Sequence, residues 1–290
     1  MSWRTVIVSK NSKLDYQLGY LVVRGQETVK VHLNEIAVVI IENTAVSLTA
    51  YLLSELIKHK IKVIFCDEKR NPSSELVPYY GSHDTSMKVK KQCEWTKENK
   101  SAVWTEIVTE KIRKQAELLA KKGKHESNIL YQYIEEVEFA DVTNREGHAA
   151  KVYFNALFGK EFTRTTDSPI NAALNYGYTL ILSMISREIV TNGYITQLGL
   201  FHDNMFNQFN LASDIMEPYR PIVDEMVVEY RFEQFEVEDK RYMLGLFERE
   251  VLIADKNEYI PNAIKIYVRS VFDALNENDV SLIKFYRSEL

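Results

Sequence analysis

Glu146, His202, Asp214 and Glu217 combine three carboxylates with one imidazole, in stretches that read as helical. Hard oxygen donors with a single nitrogen suit Mg2+ or Mn2+ better than zinc, whose closed structural sites favour thiolate and histidine. A divalent ion held by carboxylates and open to water can polarise a phosphodiester, activate a hydroxyl and steady a leaving oxygen. The chemistry open to this donor set is therefore strand chemistry on nucleic acid. Asp214 and Glu217 stand three apart, so a helix puts both on one face, beside an apolar stripe at Leu211 and Ile215. The same spacing also fits a solvated acidic pair. Glu146 opens a segment whose buried stripe is Ala149, Ala150, Tyr153 and Phe154, and an acid there also fits a helix N-terminus. Gly147 would let another backbone or a phosphate come close. His202 follows an apolar run from Leu198 to Phe201, where a hydrogen-bonded core histidine is equally at home. His148 projects away from Glu146 on a helix and is left out.

Two regions of different periodicity must position these groups. Thr5–Val8, Tyr20–Val23, Thr28–Leu33, Ile36–Ile41 and Lys62–Cys66 read as strands, with Val29, Val31 and Leu33 on one side of the third. Ala45–His59 changes to helical spacing at Leu48, Leu52 and Leu56. Turn formers from Glu68 to Asp84 mark a linker. Beyond Met87 the pattern is helical: Trp104–Lys121, Ile129–Val142, Gly147–Phe158, Ile170–Thr191, Phe209–Glu217, Lys240–Ala254 and Pro261–Asn276. Ser168 reads as a cap and Pro169 as a first-turn proline. The expectation is an α+β chain, with a small β-rich domain over 1–80 and a larger all-α domain over 81–290.

A chain of 290 residues, 46% hydrophobic and 27% charged, fits an ordinary globular protein of one large or two modest domains. The net charge of −5 removes any global basic signature, so nucleic acid would have to meet a local patch. Cys66 and Cys93 lack metal-binding spacing, which argues for a reducing compartment and against a disulfide framework. Without a signal peptide or a bilayer-length apolar run, a cytoplasmic protein with no membrane contact is expected.

Three longer runs carry a resemblance: E-G-x-A-A-x-x-Y-F at Glu146 to Phe154, S-P-I-N-A-A-L-N-Y-G-Y at Ser168 to Tyr178, and G-L-F-H followed by L-A-S-D-I-M-E-P-Y-R-P. With them the chain resembles the CRISPR-associated integrase, the catalytic subunit of the spacer-acquisition module, most nearly its type II form. The resemblance covers essentially the whole chain and implies a β-sandwich-like N-terminal domain before the helical one. It also implies catalytic, metal-ligating roles for Glu146, His202 and Glu217, with Asp214 a further acid whose direct metal contact is less secure. The implied cofactor is Mg2+ or Mn2+. The implied reaction joins 3′-hydroxyl ends of short DNA, the prespacers, to the leader-repeat junction of the CRISPR array by transesterification. A homodimer through the β-domains, assembled with a small ferredoxin-like subunit as a heterohexamer, would carry it out.

Double-stranded DNA needs cations to hold it. Lys88, Lys90 and Lys91 begin a basic stretch that continues through Lys111, Arg113, Lys114, Lys121, Lys122 and Lys124, either a phosphate track or ordinary solvated helix faces. Arg145, Lys151, Arg164 and Arg220 lie nearer the ligand segments and are expected to grip the target phosphate. The acids after Pro221 would repel DNA and are placed away from it. Two rival functions fit the same residues: a metal-dependent endonuclease for branched DNA, and a DNA-binding scaffold without catalysis.

Overall fold

The structure is a computed structural model that describes residues 4–78 and 82–287. They divide into two compact units, Met1–Gly81 and Ser82–Leu290. The first contains β1 (Arg4–Val8), β2 (Lys13–Gln17), β3 (Tyr20–Arg24), β4 (Thr28–His32), β5 (Ile36–Ile41), β6 (Ser47–Leu48), α1 (Ala50–Lys58), β7 (Lys62–Cys66) and β8 (Pro72–Glu75). Its strands form two four-stranded sheets, ordered β1-β5-β7-β8 and β4-β3-β2-β6. The continuous apolar run of β5 lies between parallel partners β1 and β7, and all six of its residues are buried. Val8, Leu14, Leu21, Leu33, Val39, Leu52 and Val63 share one core cluster.

Several expectations change within this unit. Only Val31 and Leu33 of the predicted stripe turn inward, whereas Val29 is 52% exposed. Helix α1 starts five residues late, at the cap where Thr49 Oγ1 accepts from Leu52 N–H at 3.2 Å. Ser47 and Leu48 pair instead with β2. The expected linker contains β8, antiparallel to β7 and tied to it by a Lys62–Glu75 ion pair.

The second unit runs α2 (Thr85–Glu94), α3 (Lys97–Lys121), α4 (Ser127–Glu135), α5 (Arg145–Phe158), α6 (Pro169–Thr191), α7 (Asn210–Ile215), α8 (Arg220–Tyr230), α9 (Val237–Leu244), β9 (Glu250–Ile253), β10 (Lys256–Tyr259) and α10 (Ile260–Glu277). Ser168 Oγ caps α6 by accepting from Asn171 N–H at 3.2 Å, and Pro169 occupies its first turn. α6 packs tightly on α8, because a Cβ added at Gly177 would lie 2.4 Å from Val223 Cγ1. The unit is not all-α: the second half of the expected helix Lys240–Ala254 is a 3-10 turn and strand β9, which pairs with β10. The hairpin turns at Ala254 and Asp255, both with positive φ, a conformation normally announced by Asn or Gly. Among the described residues no helix is long and apolar enough to cross a membrane. Cys66 is buried and Cys93 exposed, and neither forms a disulfide.

Candidate metal centre

Helix α3 carries one face of the centre. Trp104 and Lys111 stand seven residues apart, two turns along the same side, and both are buried. Lys111 Nζ pairs with Glu146 Oε1 and lies 2.5 Å from Glu217 Oε2. Two of the predicted ligands from distant segments are therefore brought to one point, and a lysine stands between them.

Glu146 is delivered by the start of α5. Buried Asp141 accepts from the backbone N–H of Arg145 at 2.7 Å and of Glu146 at 3.1 Å. Asn144, left-handed at φ 53°, accepts from Gly147 N–H at 3.3 Å. A Cβ at Gly147 would meet Asn144 Oδ1 at 2.7 Å. The close approach this glycine permits is thus that of the capping side chain.

Asp214 and Glu217 do not share one regular helix. Asp214 lies near the end of α7, whereas Glu217 opens the 3-10 turn Glu217–Tyr219 leading into α8. Fully buried Asp214 faces the loop before it. Its Oδ2 accepts from Leu200 N–H at 2.6 Å and Phe201 N–H at 3.0 Å, and its Oδ1 from His202 N–H at 3.2 Å. The same Oδ1 lies 2.5 Å from His202 Nδ1. With both oxygens so engaged, Asp214 orients the imidazole and leaves Nε2 as the outward nitrogen, the arrangement that carboxylates impose on metal-binding histidines. Gly199 is required there, since an added Cβ would lie 2.3 Å from His202 O. Phe201 stacks on Trp104 with centroids 4.7 Å apart, and Trp104 meets the His202 ring edge-on at 5.8 Å.

Among the described residues no three His, Cys, Asp or Glu side chains form a group ready to hold a metal ion. What is assembled is an acid pair, with the imidazole close enough to feel its charge. The Asp214 hydrogen bond is the strongest influence on His202 and raises its pKa above the usual value; burial opposes this, and the charges of Glu217 and Glu146 add to it. Burial is the largest influence on Glu217, yet Arg220 and then Lys111 overcome it and hold the carboxyl below the ordinary range. Arg220 Nε donates to Glu217 Oε1 at 2.9 Å. Glu217 Oε2 is buried and faces the Lys111 ammonium. That oxygen, with the Glu146 carboxylate and His202 Nε2, fits a hard divalent cation in donor type.

The expected DNA contacts separate into two groups. Arg145 is held on α4 by the Tyr133 ring and beside it by Glu136 at 2.9 Å. Arg164 donates to Asn171 at 2.5 Å and Asn175 at 2.6 Å, and Arg220 lies on the Tyr178 ring and Glu217. These three guanidiniums already brace the fold. Lys151 on α5 and Lys90 on α2 differ from them: Lys151 is exposed, Lys90 and Lys91 lie at the surface of α2, and Lys88 is 3.9 Å from Asp84. The basic stretch of α3 is not a continuous surface track, because Lys111 and Lys114 are buried among acids. Lys121 and Lys122 pair with Glu225 and Glu229, so part of the acidic bias after Pro221 is neutralised within the unit.

Beneath Arg220, Asp224 accepts from Tyr153 Oη at 2.8 Å and from Tyr178 Oη. Burial, only partly offset by these two donors, pushes Asp224 up from 3.8 to about 6. The folded state then binds more protons than the unfolded one between those values, so stability falls as pH rises through that window. The penalty above it is about 3 kcal/mol. Asp224→Asn should therefore lose less stability than the parent chain between about pH 4.5 and pH 7 in denaturant unfolding; equal losses would contradict the raised pKa.

The chain has relatives among known proteins. The family described as CRISPR associated protein Cas1 matches residues 5–253. A CRISPR-associated endonuclease Cas1 from Neisseria meningitidis serogroup C (strain 8013) is 37% identical over 230 residues, covering 79% of this chain and 76% of the relative. One from Francisella tularensis subsp. novicida (strain U112) is 27% identical over 285 residues, covering 89% and 88%. Among solved structures, a Cas1 protein from Thermotoga maritima superposes with TM-score 0.77 at 16% identity, covering 99% of this chain and 100% of that one. A casposase bound to integration product superposes with TM-score 0.76 at 18% identity, covering 97% and 93%. These structures share the α+β fold, and the family match spans well over half the sequence: the chain belongs to the Cas1 family.

Proposed function

We propose that this protein is a divalent-metal-dependent DNA integrase and endonuclease of CRISPR adaptation. The observation that carries the reading is the cluster of half-buried Glu146 with buried Lys111 and Glu217, beside an Asp214-oriented His202, in a chain of this family. Glu146, Glu217 and His202 Nε2 would hold Mg2+ or Mn2+, which supplies charge at the scissile phosphate and lowers the pKa of a bound hydroxyl. In the strand-transfer step the 3′-oxygen of a short duplex bonds to phosphorus as the bond to the displaced strand's 3′-oxygen breaks. The attacking hydroxyl gives up its proton to solvent, and the displaced 3′-oxygen takes one up to become a hydroxyl. One phosphodiester replaces another, so no nucleotide is consumed. His202, held by Asp214 at Nδ1, presents its other nitrogen in a fixed direction. Lys111 and Arg220 place positive charge near the negative charge that builds on the phosphate.

Assembly belongs to the same proposal. The chain would dimerise through its β-unit and act with a small ferredoxin-like subunit as a heterohexamer. Fold likeness to a Cas6-RT-Cas1–Cas2 complex, with TM-score 0.73 at 18% identity over 97% of this chain and 36% of that one, supports a Cas2 partner. The substrates would be prespacer duplexes and leader-repeat DNA.

The deciding assay incubates purified protein, its small partner, labelled prespacer and a leader-repeat duplex with Mn2+, and separates joined from cut products. Joined product supports the integrase. Cut product alone, on branched DNA, would favour the endonuclease, and DNA binding without product would favour a scaffold. Replacing Lys88, Lys90 and Lys91 together with Ala is expected to weaken DNA binding across sequences. The slope of log K against log salt should fall by about 1 for each phosphate that is no longer neutralised. An unchanged slope would put α2 outside the DNA path.

A further inference from the structure

Lys111 has no place among metal ligands, yet it sits at the centre of the site. It is 6% exposed, midway along α3, and its one ammonium faces Glu146 from α5 and Glu217 from the turn after α7. A buried ammonium persists only where close opposite charge offsets its lost hydration. Two carboxylates drawn this near one another would repel if the lysine were gone. Arg220 adds a second positive charge against Glu217, so the acid pair and its two cations sum to neutrality. A divalent cation needs the same carboxylate oxygens that Lys111 now engages.

We propose that Lys111 is a built-in counterion that competes with the divalent cation for Glu146 and Glu217 and yields them when a DNA phosphate arrives. The proposal rests on the metal-site reading above and adds a coupling to it. Without DNA the ammonium keeps the two carboxylates together and makes them poor cation ligands. A phosphodiester at the mouth of the site offers the ammonium another anion. Lysine suits this exchange, with a flexible four-carbon stem and a compact charge that keeps no fixed donor geometry. Once Lys111 has turned to the phosphate, the carboxylate oxygens are free. Linkage makes the effect mutual: DNA tightens cation binding by the factor with which the cation tightens DNA binding.

The test measures Mn2+ affinity of the full chain by the electron paramagnetic resonance signal of free Mn2+, with and without a short duplex. Lys111→Met and Lys111→Gln should each bind Mn2+ about five-fold or more tighter than the parent chain in the absence of DNA. The duplex should tighten Mn2+ binding strongly in the parent chain and little in either variant. Lys111→Gln retains an amide to hydrogen-bond a carboxylate, so it carries the test if Lys111→Met fails to melt cooperatively. Unchanged or weaker Mn2+ binding by folded Lys111→Gln would overturn the counterion role, as would an undiminished response to DNA. Glu146→Gln and Glu217→Gln are measured alongside. If they lose Mn2+ binding while the Lys111 variants match the parent chain, only the counterion role falls. If they bind Mn2+ normally, the metal site itself is rejected, and this proposal with it.

Discussion

Glu217→Ala is expected to abolish strand joining and to lower the melting temperature more than Glu146→Ala or His202→Ala. The three side chains lie at different depths: Glu217 is 4% exposed, Glu146 25% and His202 43%. Removing Glu217 leaves buried Lys111 with Glu146 alone and takes from Arg220 the carboxylate its guanidinium pairs with. Deleting one member of a buried ion pair costs about 3–5 kcal/mol, and the upper end applies when every partner is enclosed. Arg220 is 27% exposed, so water recovers part of the loss. Glu146→Ala leaves Lys111 paired with Glu217 and should cost less. His202→Ala takes the imidazole from Asp214, whose carboxylate keeps its backbone donors, and should cost least. Joining falls away in all three variants. Melting curves and a joining assay on the same preparations check both halves; a Glu217→Ala protein as stable as His202→Ala would mean that the ion pairs contribute little.

Asp214→Ala is expected to reduce joining by about 10–100-fold, the usual effect of removing a group that orients a metal ligand, although Asp214 turns no free oxygen toward substrate. Three loop N–H groups and the imidazole would be left without their common acceptor. The activity loss alone would also follow from general unfolding, so the distinguishing readout is the His202 titration by nuclear magnetic resonance. Asp214 raises that pKa, so its removal should bring the imidazole back down toward 6.5. The acid limb of the pH profile should move to lower pH with it. A His202 titration unmoved by the substitution would exclude the orienting role.

How far these residues could be read beforehand depends on whether their signal is local. The α6 start was legible because Ser168 and Pro169 are sufficient, in themselves, to begin a helix. β5 was legible because six consecutive apolar residues need cover on both faces. β9 and β10 were not, since Ala254-Asp255 lacks the glycine or asparagine that most clearly marks a tight hairpin, and alanine seldom takes a positive φ. β8 was hidden because Pro-Ser-Ser-Glu lacks β-branched residues and gains its strand form only by pairing with β7. At the centre, the long motif runs pointed to Glu146, His202 and Glu217 as candidates, whereas Lys111 looked like one more cation in the charged run Glu110-Lys111-Ile112-Arg113-Lys114. Its spacing of seven from Trp104 was the available clue: that interval returns to the same helix face as a tryptophan, a poor place for a solvated lysine. The bonding of Asp214 was beyond sequence, because the loop over 200–202 can fold around an acid only once α7 has brought it there.

Helix α3 also holds the turn before α5, where Thr105 Oγ1 accepts from Ala140 N–H at 2.8 Å. Thr105, Trp104 and Lys111 therefore let a single rod act as a jig for the turn leading to Glu146, the loop bearing His202 and the acid pair. Small slides of that rod would carry all three along and leave their mutual spacing unharmed. A bend inside it would not, since it would tilt the tryptophan end away from the lysine end and pull the imidazole off the carboxylates while every individual residue stayed in place.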